Sequence, residues 1–288
     1  MQWWTQQAKP NTGGPDLTEY GPMFERILVC GYGNMASAMV EGWLEGGIPP
    51  HHFTIYNPRP KTVPKGAKLV TDLPPTPFDA LVLGFKPHML ADVAPKLGPA
   101  SNGATIVSIL AGVDLDSLRK AFPNAGKVIR LMPNLACALG KSPIALAGRN
   151  LTEKQREAVE QLAKPLGPFA WVDEENYELT TALGGSGPAF VYRFIDAIAG
   201  AATDLGLERE EADRLALAMV EGATQLAVDS RHSPGELAKR VASPGGMTQK
   251  GMDVLDHGDA LRGLLRETLA AARDRGTEMA EEARKPGN

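Results

Sequence analysis

The fold of this 288-residue chain is decided by one stretch, Arg26-Ile27-Leu28-Val29-Cys30-Gly31-Tyr32-Gly33-Asn34-Met35-Ala36. Its first five residues are a mainly apolar run that predicts a strand, and the pattern over residues 34–46 predicts a helix. The turn between them has the spacing G-x-G-x-x-A, in which the first glycine makes a tight turn, the second lets the backbone approach a pyrophosphate, and the alanine lets the helix pack on the strand. A strand, this turn and a helix predict a dinucleotide site. Its predicted contacts are Gly31, Tyr32, Gly33, Asn34 and Met35.

Short apolar runs alternate with helical patterns as far as residue 172. Further strands are predicted at residues 53–56, 80–85, 105–109, 127–132, 144–147 and 169–172. Nearly continuous apolar strands separated by helices are typical of a parallel sheet covered on both faces. We therefore expect an α/β domain of Rossmann type, a doubly wound parallel sheet, over residues 23–172.

Strand patterns stop after residue 173, and only helical patterns follow. Helices are predicted at residues 174–183, 187–205, 208–229, 234–241, 246–256 and 259–283. The segment 187–205 is apolar almost all round, which predicts a helix buried on most sides. Because a helical domain of this size rarely buries such a helix alone, self-association is favoured over a large monomeric core. Residues 173–288 are therefore expected to form an all-α dimerisation domain.

Composition narrows the class of protein. The chain is 43% apolar and 22% charged, as folded proteins are, and its net charge of −4 without a basic block argues against a nucleic-acid partner. No apolar stretch reaches the ~20 residues of a membrane span. The two cysteines, Cys30 and Cys137, lack metal-site spacing, so no metal is expected and a reducing compartment is favoured. Residues 1–22 lack the apolar centre of a signal peptide and are interpreted as a flexible extension.

The end of the second predicted strand selects the nucleotide. It continues as Asn57-Pro58-Arg59-Pro60-Lys61, without the carboxylate that NAD enzymes place there for the ribose 2′-hydroxyl. Arg59 could pair bidentately with a 2′-phosphate, so NADPH is favoured over NADH, with a solvated loop as the alternative. Two later loops should line the same groove, because open α/β sheets bind ligands at the carboxyl ends of their strands. The contacts predicted from these three segments are Asn57, Arg59, Phe85, Lys86, Pro87, Ala111 and Gly112.

A second motif lies near the C-terminus, Ser243-Pro244-Gly245-Gly246-Met247-Thr248-Gln249-Lys250-Gly251. A proline, paired glycines and a threonine before a helical pattern indicate an exposed helix start, with Thr248 as its third residue. Free N–H groups and the helix dipole at such a start suit a small anion such as a carboxylate. An ordinary loop is the alternative.

These motifs, in this order, resemble the pyrroline-5-carboxylate reductase family over residues 26–279. The most specific matches are residues 182–190, Ala-Leu-Gly-Gly-Ser-Gly-Pro-Ala-Phe, and residues 243–248. The resemblance implies a Rossmann domain, a helical dimerisation domain and NAD(P)H-dependent reduction of Δ1-pyrroline-5-carboxylate to L-proline, the last step of proline biosynthesis. It also implies a cytoplasmic homo-oligomer, either a dimer or a ring of dimers.

The resemblance also implies the substrate contacts. The amides of Gly245, Gly246, Met247 and Thr248 would bind the substrate carboxylate, and the Thr248 hydroxyl, the predicted catalytic group, would bind the carboxylate or the ring nitrogen. Glu174 would lie close to the substrate, or would instead be a helix-start carboxylate stabilised by the helix dipole. The chain departs from the family pattern at Gly184, commonly Ser, at Leu135, commonly Thr, and at Met247, commonly Thr or Ala. The larger Met247 side chain puts the shape of the ring pocket in question.

Three other functions remain open. A β-hydroxyacid dehydrogenase shares the domain order but needs a lysine on a long helix after the boundary, and no lysine lies between Lys164 and Lys239. A reductase of another cyclic imine is compatible with Met247. A non-catalytic NADP-binding regulator would leave the glycine segment at residues 245–246 unused.

Overall fold

The computed structural model of the chain describes residues 24–284, and the predicted extension at residues 1–22 lies outside them. The described residues form two compact units. The sheet unit comprises residues 24–186 and 270–284, and the helical unit comprises residues 187–269. The first unit continues beyond the predicted boundary at residue 172, because the next helix packs on the sheet. The boundary between a dinucleotide-binding domain and a dimerisation domain at residue 172 remains a prediction.

The sheet unit contains one eight-stranded sheet in the order β3-β2-β1-β4-β5-β6-β7-β8. Its strands are β1 Ile27–Cys30, β2 Phe53–Tyr56, β3 Lys68–Val70, β4 Ala80–Leu83, β5 Thr105–Ser108, β6 Lys127–Met132, β7 Ile144–Gly148 and β8 Phe169–Trp171. All neighbours are parallel except β6 and β7. The predicted Rossmann-type sheet is confirmed, since the order reverses between β1 and β4 as in doubly wound folds. Two details differ from expectation: β3 was not predicted, and β7 runs antiparallel to β6.

Eleven α-helices connect or follow these strands in the described part of the chain. They are α1 Asn34–Glu45, α2 Leu90–Val93, α3 Gly98–Ser101, α4 Leu115–Ala121, α5 Glu153–Ala163, α6 Glu174–Gly184, α7 Gly187–Asp204, α8 Arg209–Asp229, α9 Pro234–Val241, α10 Met247–Asp256 and α11 Ala260–Arg284. Helix α11 begins in the helical unit and ends in the sheet unit. Within residues 24–284, none of the helices combines the length and apolar content that a bilayer crossing requires.

The sheet is covered on both faces. On one face, Trp43 of α1 stacks on Phe53 with ring centroids 5.5 Å apart and donates from Nε1 to the carbonyl of Leu162 at 2.7 Å. On the other face, Leu97, Leu118 and Phe122 are fully buried against the strands. All four residues of β1 and of β4 are buried. Apolar runs without polar alternation therefore form central parallel strands, as expected.

A buried arginine binds α6 to the sheet. Arg130 of β6 is 2% exposed, and its guanidinium contacts Glu174 at 3.1 Å and Glu178 at 2.7 Å. It also lies 3.7 Å from the ring centroid of Tyr177. These three α6 residues are spaced i, i+3 and i+4, which places them on one face of the helix. Burial raises the pKa of Tyr177, so its phenol stays neutral and Arg130 is balanced by the two glutamates.

The helical unit has a small core within one chain. In the described residues, the buried apolar cluster of its α7–α8 hairpin consists of Ala199, Ala212 and Ala216. Large apolar side chains remain exposed at Val191, Tyr192, Phe194, Leu217 and Leu226. Helix α7 was expected to be buried on most sides, and the described residues of a single chain leave much of it exposed. Its apolar surface is free to contact another subunit.

We expect the substitution Arg130→Met to lower the free energy of unfolding by about 3 kcal/mol, because it leaves two carboxylates facing an apolar side chain. Arg156→Met is the matched control. Arg156 lies 4.5 Å from the ring centroid of Trp171 and 3.1 Å from Glu160, but its side chain is 52% exposed. The control should lose less than about 1 kcal/mol. Urea unfolding at equal protein concentration measures the free energy of unfolding of both variants. Equal losses would contradict a special role for the buried Arg130.

Candidate active site

The glycine turn after β1 has the geometry that a dinucleotide requires. Gly31 has φ +90°, and a Cβ there would lie 2.9 Å from the Phe85 nitrogen, so only glycine fits. Gly33 precedes α1, no side chain caps this helix, and a Cβ on Gly33 would meet nothing within 4 Å. Among the described residues no side chain bonds the first N–H groups of α1, and the space beside Gly33 is open, which suits a pyrophosphate.

Close packing behind this turn explains the third position of the motif. Ala36 is buried, and a Cβ on Gly84 at the end of β4 would lie 3.0 Å from the Ala36 Cβ and 2.7 Å from the Gly31 carbonyl oxygen. A larger residue at position 36 would push α1 away from β4. The alanine therefore does what the spacing predicted.

Asn57 joins the glycine turn to the loop after β2. Its Oδ1 accepts from the Tyr32 nitrogen at 3.3 Å, and its Nδ2 donates to the carbonyl of Arg59 at 2.6 Å. The Arg59 and Lys61 side chains are exposed. Asn57 thus organises the backbone of the loop, while Arg59 remains accessible to a ligand phosphate.

The sheet register brings the four predicted cofactor segments to one edge. The last residue of β1, Cys30, is paired with Tyr56 of β2 and with Leu83 of β4, which is paired in turn with Ser108 of β5. The segments after these strands are residues 31–35, 57–59, 85–87 and 109–112. The backbone at Phe85 lies against the glycine turn, since a Cβ on Gly31 would come within 2.9 Å of the Phe85 nitrogen. Because parallel strands all end at this edge, the predicted residues come together there.

Within the last segment, Ala111 and Gly112 differ in exposure. Ala111 is exposed, whereas Gly112 is buried with φ +70°. A Cβ on Gly112 would lie 2.7 Å from the Met279 Cβ of α11. Gly112 was predicted as a cofactor contact, and the structure gives it a packing reason for being glycine.

The second motif forms the start of α10 in the helical unit. Gly246 is the N-cap, Gly245 has φ +72°, and no side chain caps the helix. The helix begins at Met247, so Thr248 is its second residue and not its third as predicted, because the extended Gly246 stands outside the helix. Met247 is 93% exposed and Thr248 is exposed. The N–H of Gly246, predicted to bind the carboxylate, instead donates to the carbonyl of Ser243 at 2.9 Å, because the turn closes on itself there. The N–H groups of Met247 and Thr248 at the helix start can donate to an anion.

Glu174 makes contacts within the sheet unit. Its Oε1 accepts from Arg130 and from the Leu115 nitrogen at 3.0 Å, and its Oε2 lies 3.7 Å from Arg149. It is the first residue of α6, which agrees with the helix-start alternative. A substrate contact by Glu174 remains a prediction. Arg130 was not among the predicted site residues, although an arginine inside an apolar strand signals a buried partner.

Two family models match the chain. Residues 174–279 match the model described as pyrroline-5-carboxylate reductase dimerisation, and residues 26–112 match the model described as NADP oxidoreductase coenzyme F420-dependent. The second match covers the glycine turn and the strands that carry the predicted cofactor segments. The first covers α6 through most of α11.

Similar proteins extend these matches over nearly the whole chain. Pyrroline-5-carboxylate reductase 2 of Bacillus subtilis is 32% identical over 241 residues, covering 80% of this chain and 87% of the relative. The pyrroline-5-carboxylate reductase of Pseudomonas aeruginosa is 33% identical over 272 residues, covering 89% and 97%. The solved structure of a pyrroline-5-carboxylate reductase from Coxiella burnetii superposes with a TM-score of 0.80 at 28% identity, covering 90% of this chain and 99% of that one. The chain belongs to the pyrroline-5-carboxylate reductase family.

Proposed function

We propose that this protein reduces Δ1-pyrroline-5-carboxylate to L-proline with NADPH as the hydride donor. The observation that carries the proposal is the 33% identity to the Pseudomonas aeruginosa reductase over 97% of that relative's length. Two free, buried cysteines support a reducing, cytoplasmic location.

The residues around the glycine turn fit the cofactor. The pyrophosphate would be held by the N–H groups at residues 33–35, beside the open space at Gly33, because the N–H groups of Gly31 and Tyr32 already donate to Tyr56 and Asn57. The exposed Arg59, in a loop without a carboxylate, supports NADPH over NADH through its match to a 2′-phosphate. Residues 85–87 and 111–112 would line the remaining groove. When bound, the nicotinamide supplies the hydride.

The start of α10 fits the substrate carboxylate. The N–H groups of Gly245, Met247 and Thr248 would hold it, aided by the helix dipole, while Gly246 would shape the turn through its own bond to Ser243. A pyrroline imine is basic enough to be partly protonated near neutral pH, so the chain need not supply a strong acid. The Thr248 hydroxyl would then orient the carboxylate or the ring nitrogen.

We propose that the chain assembles as a dimer, or a ring of dimers, through its helical unit. The family match of residues 174–279 and the exposed apolar side chains of α7 and α8 support this assembly. Obligate homodimer interfaces are more hydrophobic than transient ones. A monomer in light scattering at micromolar concentration would contradict it.

A reductase of a larger cyclic imine is the second candidate, favoured by Met247. This side chain is exposed at the first helical residue, beside the N–H groups that would hold the carboxylate. It would change the space available to the substrate ring.

The function is tested by NADPH and NADH oxidation with Δ1-pyrroline-5-carboxylate and with its six-membered analogue. We expect turnover with the five-membered acid, and more with NADPH than with NADH. Turnover of the six-membered acid alone would favour the second candidate. Absence of turnover with both acids, despite tight NADPH binding, would favour a regulator.

The glycine turn is tested by Gly33→Ala. The backbone of Gly33 has φ −89°, so alanine fits without strain, and the folded protein should be no less stable. The added methyl group would stand where the pyrophosphate approaches, raising the Kd for NADPH about ten-fold or more. Gly98→Ala, which also adds a methyl group in open space, is the control and should bind normally. Equal affinities, measured by fluorescence titration, would argue against a pyrophosphate at this turn.

The role of Thr248 is tested by Thr248→Val, which keeps the shape and removes the hydroxyl. We expect kcat/KM for the imine to fall about 10- to 100-fold, the cost of a hydrogen bond to a charged group, with unchanged NADPH affinity. Thr248→Ser should restore most of the activity. Because Thr248 is exposed, thermal stability should not change. Wild-type kcat/KM in the valine variant would remove Thr248 from the catalytic machinery.

A further inference from the structure

The end of α11 packs on the segment that follows β5, residues 109–114. Gly112 is the contact point: a Cβ on it would lie 2.7 Å from the Met279 Cβ and 3.2 Å from the Ala280 nitrogen. Gly112 is buried, while the neighbouring Ala111 is exposed. The backbone of this segment therefore has one side against α11 and one residue available to a ligand.

An ion pair closes the same contact. Arg284, in the last turn of α11, donates from Nε to Oδ2 of Asp114 at 2.5 Å. The Asp114 side chain is 8% exposed and its Oδ1 also accepts from the Ser117 nitrogen at 2.7 Å, which caps α4. Burial alone would raise the pKa of the Asp114 carboxyl, but its hydrogen bonds from Ser117 and Arg284 together hold that pKa below its usual value. The carboxylate is thus ionised at neutral pH, with Arg284 as its paired cation.

A second contact holds the segment from the other side. The Leu115 nitrogen, one residue after Asp114, donates to Oε1 of Glu174, and the same oxygen accepts from the buried Arg130. At the opposite end, the Ile109 nitrogen donates to the carbonyl of Leu83 in β4 at 3.4 Å. The segment is therefore anchored at its two ends by the sheet and α6, and Arg284 supplies the anchor from α11.

We propose that Arg284 is a positioning residue for the cofactor: its ion pair with Asp114 holds residues 109–112 in the shape that takes the nucleotide. The inference rests on the proposed function, because that function assigns Ala111 and Gly112 to the cofactor groove. In this proposal Arg284 acts through Asp114 and makes no contact of its own with substrate or cofactor. Its loss should weaken cofactor binding and leave substrate binding intact.

The same helix offers a matched control. Arg275 lies nine positions earlier on α11 and pairs with Glu278 and Glu282 of that helix. Its substitution removes an arginine of similar exposure without touching the segment after β5. Asp114→Asn is the reciprocal variant, because asparagine caps a helix as well as aspartate does but carries no charge for Arg284.

The experiment compares the full-length wild type with Arg284→Gln, Asp114→Asn, the double variant and Arg275→Gln. Fluorescence titration gives the Kd for NADPH, and hydrogen exchange without cofactor reports the amides of residues 109–115. We expect a three- to five-fold higher Kd, about the value of a partly exposed ion pair, with faster exchange in that segment for both single variants. The double variant should add no further loss, because the two residues share one interaction. Arg275→Gln should match the wild type, and the KM for the imine should be unchanged throughout.

Two failures are distinguishable. Wild-type Kd and wild-type exchange in Arg284→Gln would overturn the positioning role, whatever the enzyme reduces. A wild type that binds neither NADPH nor NADH would overturn the proposed function. In that case, unchanged hydrogen exchange at residues 109–115 in Arg284→Gln would also show that the ion pair with Asp114 does not hold this segment.

Discussion

The ion pairs of the buried Arg130 guanidinium with Glu174 and Glu178 are the interactions on which the described structure most depends. Removing a charge from water costs several kcal/mol unless partners compensate it, and here Glu174, Glu178 and the ring of Tyr177 do so from one face of α6. The need to pair this charge fixes the rotation of α6 about its own axis as well as its position, since rotating the helix would move the glutamates away from Arg130. Through Glu174 it also reaches the start of α4. A single β6 residue thus connects the sheet, α6 and the segment that follows β5.

The candidate cofactor edge depends on backbone space more than on side chains. Gly31, Gly84 and Ala36 are small because the chain passes within van der Waals contact of itself there, while Gly33 is small in front of open surface. These two kinds of glycine look alike in a motif. The first kind is required by the fold. The second has no such requirement, because none of the described residues lies within 4 Å of a Cβ at Gly33, and that space is left for a ligand.

Much of the fold could be predicted from local patterns, and the rest depended on contacts between distant residues. Strands such as β1 and β4 were predicted because all their side chains are buried and apolar. Strand β3 begins with an exposed lysine, so only two apolar residues mark it, too few for a strand pattern. The sequence of β7 is as apolar as that of the parallel strands, so its antiparallel direction could not be predicted from composition. The glycine turn followed from spacing alone. The partners of Arg130 lie 44 and 48 residues away and that of Asp114 lies 170 away, and no periodicity reports such pairs.

The α7–α8 hairpin has a consequence for how the protein folds. Three buried alanines give the two helices little hydrophobic free energy with which to offset the entropy of ordering about forty residues. The hairpin is fully stable only when its exposed apolar side chains are covered by another subunit. Folding of this region is therefore coupled to association of the chains. The Tm of this region then rises with protein concentration, and dilution lowers the stability of the folded helices.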